Sequence, residues 1–107
     1  MISIFRDNDF DGIPALYEQD GKGKDTICHL VVKIPYTGFV WFLTEYSPEE
    51  EIFFGFACLD DPEMAELGYI SKQELEDLGR KYPLTIEKLG NISLADAKAK
   101  YIPDEDV

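Results

Sequence analysis

Runs of apolar and β-branched residues alternate with short turns through the middle of the chain. Three runs occupy residues 26–34, 38–46 and 51–58, and a shorter one occupies residues 66–70. Such runs, bounded by turn residues, are typical of β-strands. The connections between the first three runs are too short for a parallel crossover, so the pattern predicts an antiparallel meander.

Capping signals predict two short helices after these strands. Ser71 and Glu74 match the capping box, in which two side chains bond the free N–H groups of a helix start. They predict a helix over about residues 72–78 that ends at Gly79. Ser93 begins a second segment, in which apolar residues recur at helical spacing.

Between the two helices, segment 84–89 alternates apolar and polar residues, which favours an edge strand. Strands followed by helices indicate an α+β fold, here an antiparallel meander sheet of three to five strands with one or two short helices packed on one face. Apolar residues are spread along the whole chain. We therefore expect a single domain over residues 1–107, with an acidic arm at about 1–12 and an acidic tail at 104–107.

Alternation within the strands predicts a sheet that is covered on both sides. Four residues of the first strand share a face that we expect to be buried: Cys28, Leu30, Val32 and Ile34. The second and third strands are apolar on both faces, as central strands are. The second cover is the N-terminal segment 13–17, the C-terminal helix or a partner subunit, and the sequence leaves these three open.

Composition and charge narrow the class of protein. The chain has 107 residues, with 22 acidic and 10 basic side chains and a formal net charge of −12. This length supports one hydrophobic core, and the aromatic content of 13% argues against disorder. Affinity for nucleic acid comes from basic side chains that neutralise phosphates. The acidic excess therefore argues against direct nucleic-acid binding.

Two further features indicate a cytoplasmic protein. Cys28 and Cys58 lie inside apolar runs rather than in a spaced disulfide framework, so we expect reduced, buried thiols. The first residues lack the long apolar stretch of a signal peptide, and no run approaches the length of a membrane span.

The N-terminal arm carries a calcium-like motif. Asp7, Asp9, Asp11 and Glu18 match the oxygen-ligand spacing of an EF-hand loop. Too few residues precede the motif for an entering helix, Pro14 removes a backbone donor within the loop, and no second loop exists. A solvated acidic arm is the favoured interpretation, with a calcium site as the alternative, and we expect no other cofactor.

The stretch between Lys33 and Lys72 contains no basic residue and eight carboxylates: Glu45, Glu49, Glu50, Glu51, Asp60, Asp61, Glu63 and Glu66. Six of them form two clusters at opposite ends of the third strand, at 49–51 and 60–63, separated by roughly 25 Å. No single ion can bridge that distance. The clusters form an elongated negative surface for a basic protein partner, or they are solvated turns that keep the protein soluble.

Residues for catalysis are few. His29 is the only histidine, and the adjacent Cys28 points to the opposite face of its strand, so the two cannot form a nucleophilic pair. We therefore assign no catalytic residue and interpret His29 as structural.

A shallow binding groove is a further hypothesis, lined by two aromatic and two acidic side chains: Trp41, Glu45, Glu66 and Tyr69. Regular alternation would place Trp41 and Glu45 on one strand face. Carboxylates beside aromatic rings suit ligand binding or acid–base chemistry. The alternative is that Trp41 fills the core, with its indole N–H bonded to a neighbouring oxygen.

Four ordered blocks carry a resemblance to a known family: IPALY at 13–17, WFLTE at 41–45, FFG at 53–55 and ELGYISKQEL at 66–75. Their order and spacing resemble a family of small bacterial proteins known only as a domain of unknown function. Members of that family recur on plasmids, conjugative elements and phage-related regions. The resemblance covers about residues 13–88 and implies a stand-alone α+β domain, without implying an activity or a cofactor.

Two functions from different classes follow from these features. The first is a non-enzymatic accessory or interaction protein of a bacterial mobile element, which binds a basic macromolecular partner through its acidic face. The second is a small-molecule binder or hydrolase-like enzyme that uses the Trp41, Glu45, Glu66 and Tyr69 groove. A concave pocket that joins these four side chains would favour the second function.

Overall fold

The fold is given by a computed structural model that describes residues 4–19, 21–22, 25–59 and 66–101. Within these residues, one short 3-10 helix precedes five strands and two α-helices. In chain order they are the 3-10 helix Asp7–Phe10, β1 Ile27–Lys33, β2 Phe39–Ser47, β3 Ile52–Leu59, β4 Glu66–Ser71, α1 Lys72–Lys81, β5 Thr85–Ser93 and α2 Leu94–Tyr101. Neither α-helix has the length and apolar content that a membrane crossing needs.

The five strands form one sheet in the order β4-β3-β2-β1-β5, and every neighbouring pair is antiparallel. The predicted α+β architecture with an antiparallel sheet is therefore confirmed. The segment 84–89, predicted as an edge strand, overlaps β5 from Thr85 onward, and β5 lies at the edge of the sheet beside β1.

Both predicted helix starts are confirmed by their caps. The Ser71 hydroxyl accepts the N–H of Glu74 at 3.2 Å, and the Ser93 hydroxyl accepts the N–H of Asp96 at 3.1 Å. Helix α1 does not end at Gly79 as expected but continues to Lys81. A Cβ at this glycine would lie only 2.5 Å from the Ile4 side chain, so the glycine permits close packing of the N-terminal segment.

One side of the sheet is covered by the N-terminal segment and α1. The buried residues there form the first core cluster: Phe5, Leu30, Val32, Ile34, Trp41, Leu43, Tyr46, Phe53, Ile70 and Leu75. Phe10 adds a partly buried ring, whose centroid lies 4.8 Å from that of Tyr46. Because the N-terminal segment and α1 cover this side of the sheet, the residues of β2 and β3 that face them are apolar.

Helix α2 covers a second group of buried residues, the second core cluster: Cys28, Val31, Val40, Phe42, Phe56, Cys58, Leu94 and Ala97. Because neighbouring strand residues alternate between the clusters, the clusters lie on opposite faces of the sheet. The two helices thus pack on different faces, and the expectation that they share one face is wrong. Two separate apolar faces, each needing its own cover, account for this arrangement.

The expected face of β1 also needs one correction. Leu30 and Val32 lie in the first cluster as expected, whereas Cys28 lies in the second. The pairing of β1 with β5 shifts register between Cys28 and Leu30, and this irregularity moves Cys28 to the other face. Both Cys28 and Cys58 are buried free thiols, as predicted.

β2 contains a bulge that changes which of its side chains share a face of the sheet. Leu43 pairs with Gly55, but Glu45 pairs with Phe54, so Thr44 is an extra residue in β2. A Cβ on Gly55 would overlap the backbone carbonyl oxygen of Phe42. The bulge therefore requires glycine at this position of the facing strand.

Replacing Gly55 with alanine should lower the free energy of unfolding by about 3 kcal/mol, because β2 and β3 must separate to accept the methyl group. Urea denaturation of both proteins measures the change. The matched control is Gly68→Ala on β4: Gly68 pairs with Gly55, and a Cβ there meets no atom within 4 Å. Equal stability of the Gly55 and Gly68 variants would contradict the bulge geometry.

Candidate functional site

A cavity of about 360 Å³ opens beside the bulge, on the α2 side of the sheet. Its buried lining includes Gln19, Thr44 and Glu45, and Phe54 and Leu94 add apolar surface. Exposed side chains stand at its mouth: Tyr17, Leu67 and Tyr69. We call this cavity the tyrosine groove.

Glu45, which directly follows the extra residue of the bulge, forms hydrogen bonds with the N-terminal segment. Its two carboxylate oxygens accept the backbone N–H groups of Tyr17 and Gln19, at 2.9 and 2.7 Å. Tyr17 has a positive φ of 73°, which lets two N–H groups two residues apart converge on one anion. Glu45 is 4% exposed, so these bonds compensate for the burial of its carboxylate.

The side-chain amide of Gln19 bonds the backbone of Ile27 in the way that a peptide group of a neighbouring strand would. Its side-chain oxygen accepts the N–H of Ile27 at 2.6 Å, and its side-chain nitrogen donates to the Ile27 carbonyl at 2.9 Å. The same nitrogen donates to the carbonyl of Thr44, the extra residue of the bulge, at 2.9 Å. Glu45 and Gln19 thus form one network that joins the N-terminal segment, β1 and the bulge.

Two tyrosine hydroxyls bridge the mouth of the groove. The hydroxyl oxygens of Tyr17 and Tyr69 lie 2.7 Å apart. The ring of Tyr69 stands nearly perpendicular to that of Phe54, at 71°, with centroids 5.5 Å apart. The hydrogen bond with Tyr17 raises the pKa of Tyr69, and the nearby carboxylates of Glu45 and Glu50 act in the same direction.

The structure brings together two members of the expected groove. Glu45 and Tyr69 both line the tyrosine groove, while the side chain of Glu66 lies outside the described residues. Trp41 is 4% exposed in the first core cluster, on the opposite face. The expectation that Trp41 and Glu45 share a face is wrong, because the extra residue Thr44 reverses the alternation after it.

Sequence reasoning missed most of the lining residues, among them Tyr17, Gln19 and Phe54. Tyr17 and Phe54 lie in two of the ordered blocks, IPALY and FFG, so their positions carried a signal. Gln19 carried none, since an isolated glutamine between charged residues is typical of a solvated loop.

The acidic clusters are described only in part. Glu49 and Glu50 are exposed in the turn between β2 and β3. Glu51 has a positive φ of 55° and pairs with Lys72 at 3.4 Å. The second cluster, Asp60, Asp61 and Glu63, lies outside the described residues.

The calcium-like motif takes a different local form from an EF-hand loop. Its first residues form the 3-10 helix Asp7–Phe10, and the Asp9 carboxylate accepts the backbone N–H of Arg6 at 2.8 Å. Asp11 and Glu18 are exposed. Among the described side chains, no group of three or more potential metal ligands comes together.

The two residues considered for nucleophilic chemistry are buried. Burial raises the pKa of the Cys28 thiol to about 12, so it is protonated at neutral pH. Burial, with the charge of Lys88, lowers the pKa of His29, and its Nδ1 has no hydrogen-bond partner among the described residues. Cys28 therefore lacks the thiolate form that a nucleophile requires.

Comparison with known proteins identifies the family. The chain belongs to the family described as Protein of unknown function (DUF2958), whose family model matches residues 4–101. No curated protein and no solved structure matches the chain. The expected membership of a domain of unknown function is thus confirmed, and the match includes the tyrosine groove and the Glu45 and Gln19 network.

Changing Tyr17 to phenylalanine should lower the pKa of Tyr69, because the hydrogen bond that raises it is lost. NMR titration of tyrosine ring carbons resolves this residue from the other tyrosines. Tyr82→Phe, at an exposed tyrosine after α1, is the control and should leave the pKa of Tyr69 unchanged. An unchanged Tyr69 pKa in the Tyr17 variant would show that the bridge does not form in solution.

Proposed function

We propose that this chain is a non-enzymatic interaction protein of a bacterial mobile element, and that it binds a basic protein partner. The docking surface consists of the tyrosine groove and the adjoining acidic turn of Glu49 and Glu50. The observation that carries the proposal is the grouping of exposed Tyr17, Leu67 and Tyr69 around one cavity.

Exposure of large apolar side chains favours a binding surface. Tyr17, Leu67 and Tyr69 are 67%, 55% and 56% exposed, although each is large enough to contribute to a core. Apolar side chains that are exposed as a group commonly mark interaction sites, and tyrosine is enriched at such sites. Tyrosine is favoured there because one ring provides both apolar contact area and a hydrogen-bonding hydroxyl.

Charge favours a basic partner. The chain has a formal net charge of −12, and the charge of Glu50 acts on the Tyr69 hydroxyl, so the acidic turn adjoins the groove. A negative surface accelerates encounter with a positively charged protein and slows encounter with nucleic acid.

The hydrogen bonds in the groove favour binding over catalysis. Both oxygens of Glu45 accept backbone N–H groups, the Thr44 hydroxyl donates to the Phe54 carbonyl at 2.9 Å, and the Gln19 amide bonds backbone atoms. A general acid or base must exchange a proton with its substrate. Proton exchange with a substrate would disturb these bonds to the backbone, which weakens the hydrolase-like alternative.

The proposed association with a mobile element and the cytoplasmic location are supported by features of the sequence. The four ordered blocks resemble proteins of plasmids and conjugative elements, and the family match covers all four. The free thiols of Cys28 and Cys58 suit the reducing conditions of the cytoplasm, where we place the protein.

The test is an NMR titration with a nine-residue peptide that alternates arginine and leucine. Amide shifts should concentrate at Tyr17, Glu50 and Tyr69, and affinity should fall about tenfold between 0.05 and 0.5 M NaCl because exposed charges are screened. The double variant Glu49→Gln, Glu50→Gln should weaken binding about fivefold.

The matched control removes two carboxylates from α1, on the other face of the sheet, with Glu74→Gln and Asp77→Asn. Its affinity should stay within about twofold of the original protein, since both groups are exposed and distant from the groove. Shifts confined to α1, or equal loss in both double variants, would overturn the proposal.

A further inference from the structure

We infer that the tyrosine groove is an aromatic cage for the guanidinium group of an arginine side chain. This inference rests on the proposed function, because the arginine belongs to the basic partner. It specifies which group of the partner enters the groove and why.

Aromatic rings form the walls of the cage. Phe54 and Tyr69 meet at 71° and thus present two surfaces nearly at right angles, and the hydroxyl of Tyr17 is bonded to that of Tyr69. All three residues line the same cavity. A cation close to the faces of such rings is attracted by their quadrupoles, and groups of rings bind organic cations in this way.

The neighbouring part of this sheet face already holds a cation over a ring. The Lys98 ammonium lies 4.1 Å from the centroid of Phe56, the next β3 residue with its side chain on the same face as Phe54. The environment of β3 is therefore compatible with a positive charge over an aromatic side chain.

Glu45 places a negative charge in the lining of the cage. Each carboxylate oxygen accepts one backbone N–H and keeps a second lone pair for another donor. Glu50 adds a second carboxylate near Tyr69. A guanidinium group presents five N–H donors in one plane, so it can face aromatic rings and donate to a carboxylate together.

The composition of the lining favours arginine over lysine. Phe54, Leu67 and Leu94 make part of the cavity apolar, and a ligand must lose water to contact them. A guanidinium group is more weakly hydrated than an ammonium group and stacks on rings with its flat face. The cost of desolvation is therefore lower for arginine than for lysine.

Three peptides that differ in one side chain test the cage: Ac-Gly-Arg-Gly-NH2, the same peptide with citrulline, and the same peptide with lysine. Citrulline keeps the planar shape but lacks the charge. In NMR titrations that follow the Tyr17, Gln19 and Tyr69 amides, the arginine peptide should bind at least about tenfold more tightly than the citrulline peptide. It should also bind about threefold more tightly than the lysine peptide.

Substitutions then locate the binding site. Phe54→Leu and Tyr69→Leu should each weaken binding of the arginine peptide about tenfold. The control Tyr82→Leu removes an exposed ring elsewhere and should leave the affinity for this peptide unchanged. Thermal unfolding of each variant shows whether it is folded. Tyr69→Phe provides a second variant, since it keeps the ring, and it should retain most of the affinity.

The outcomes separate this inference from the proposed function. Equal binding of the arginine and citrulline peptides, or of arginine and lysine peptides, overturns the cage. If a nine-residue peptide of alternating lysine and leucine also binds as tightly as its arginine counterpart, the proposed function stands without the cage. If the short arginine peptide fills the groove but the acidic-turn variant binds the long peptide normally, the cage stands and the proposed role of the acidic turn in the docking surface is wrong.

Discussion

The hydrogen bonds between the Glu45 carboxylate and the backbone N–H groups of Tyr17 and Gln19 hold the N-terminal segment against the sheet. They join the N-terminal segment to β2 where Thr44 interrupts the regular ladder, and the Gln19 side chain connects both to Ile27. Leaving one of these buried polar groups without a partner would cost about 1–3 kcal/mol. The network therefore fixes Tyr17 at the mouth of the groove, where its hydroxyl meets that of Tyr69.

Local patterns in the sequence were sufficient to predict the strands and the starts of both α-helices, although not the 3-10 helix Asp7–Phe10. Apolar runs located the strands, and Ser71 and Ser93 located the helix starts, because both signals depend on nearby residues. The position of Glu45 could not be predicted in the same way, since one extra residue reverses every later side chain in β2. Gly55 was the available signal: a glycine inside an aromatic strand indicates close approach of another backbone, here at Phe42.

Only part of the tyrosine groove could be predicted, because the bulge in β2 changes which side chains share a face. Glu45 and Tyr69 were identified by chemistry and line one cavity, whereas Trp41 lies in the core across the sheet. Gln19 was not predictable, because only the three-dimensional pairing with Ile27 and Thr44 distinguishes it from a solvated loop residue. The bulge thus places the buried network of Glu45 and Gln19 beside the tyrosine groove, at whose rim Tyr17 and Tyr69 are exposed.

Hydrogen exchange at single amides tests this account most directly. The N–H groups of Tyr17 and Gln19 bond to Glu45, and that of Ile27 bonds to the Gln19 side chain, although all three lie outside or at the end of regular ladders. We expect these amides to exchange more than about a thousandfold more slowly than in a free peptide, as strand amides do. Exchange of Tyr17 and Gln19 at free-peptide rates, with the strands still protected, would contradict the account.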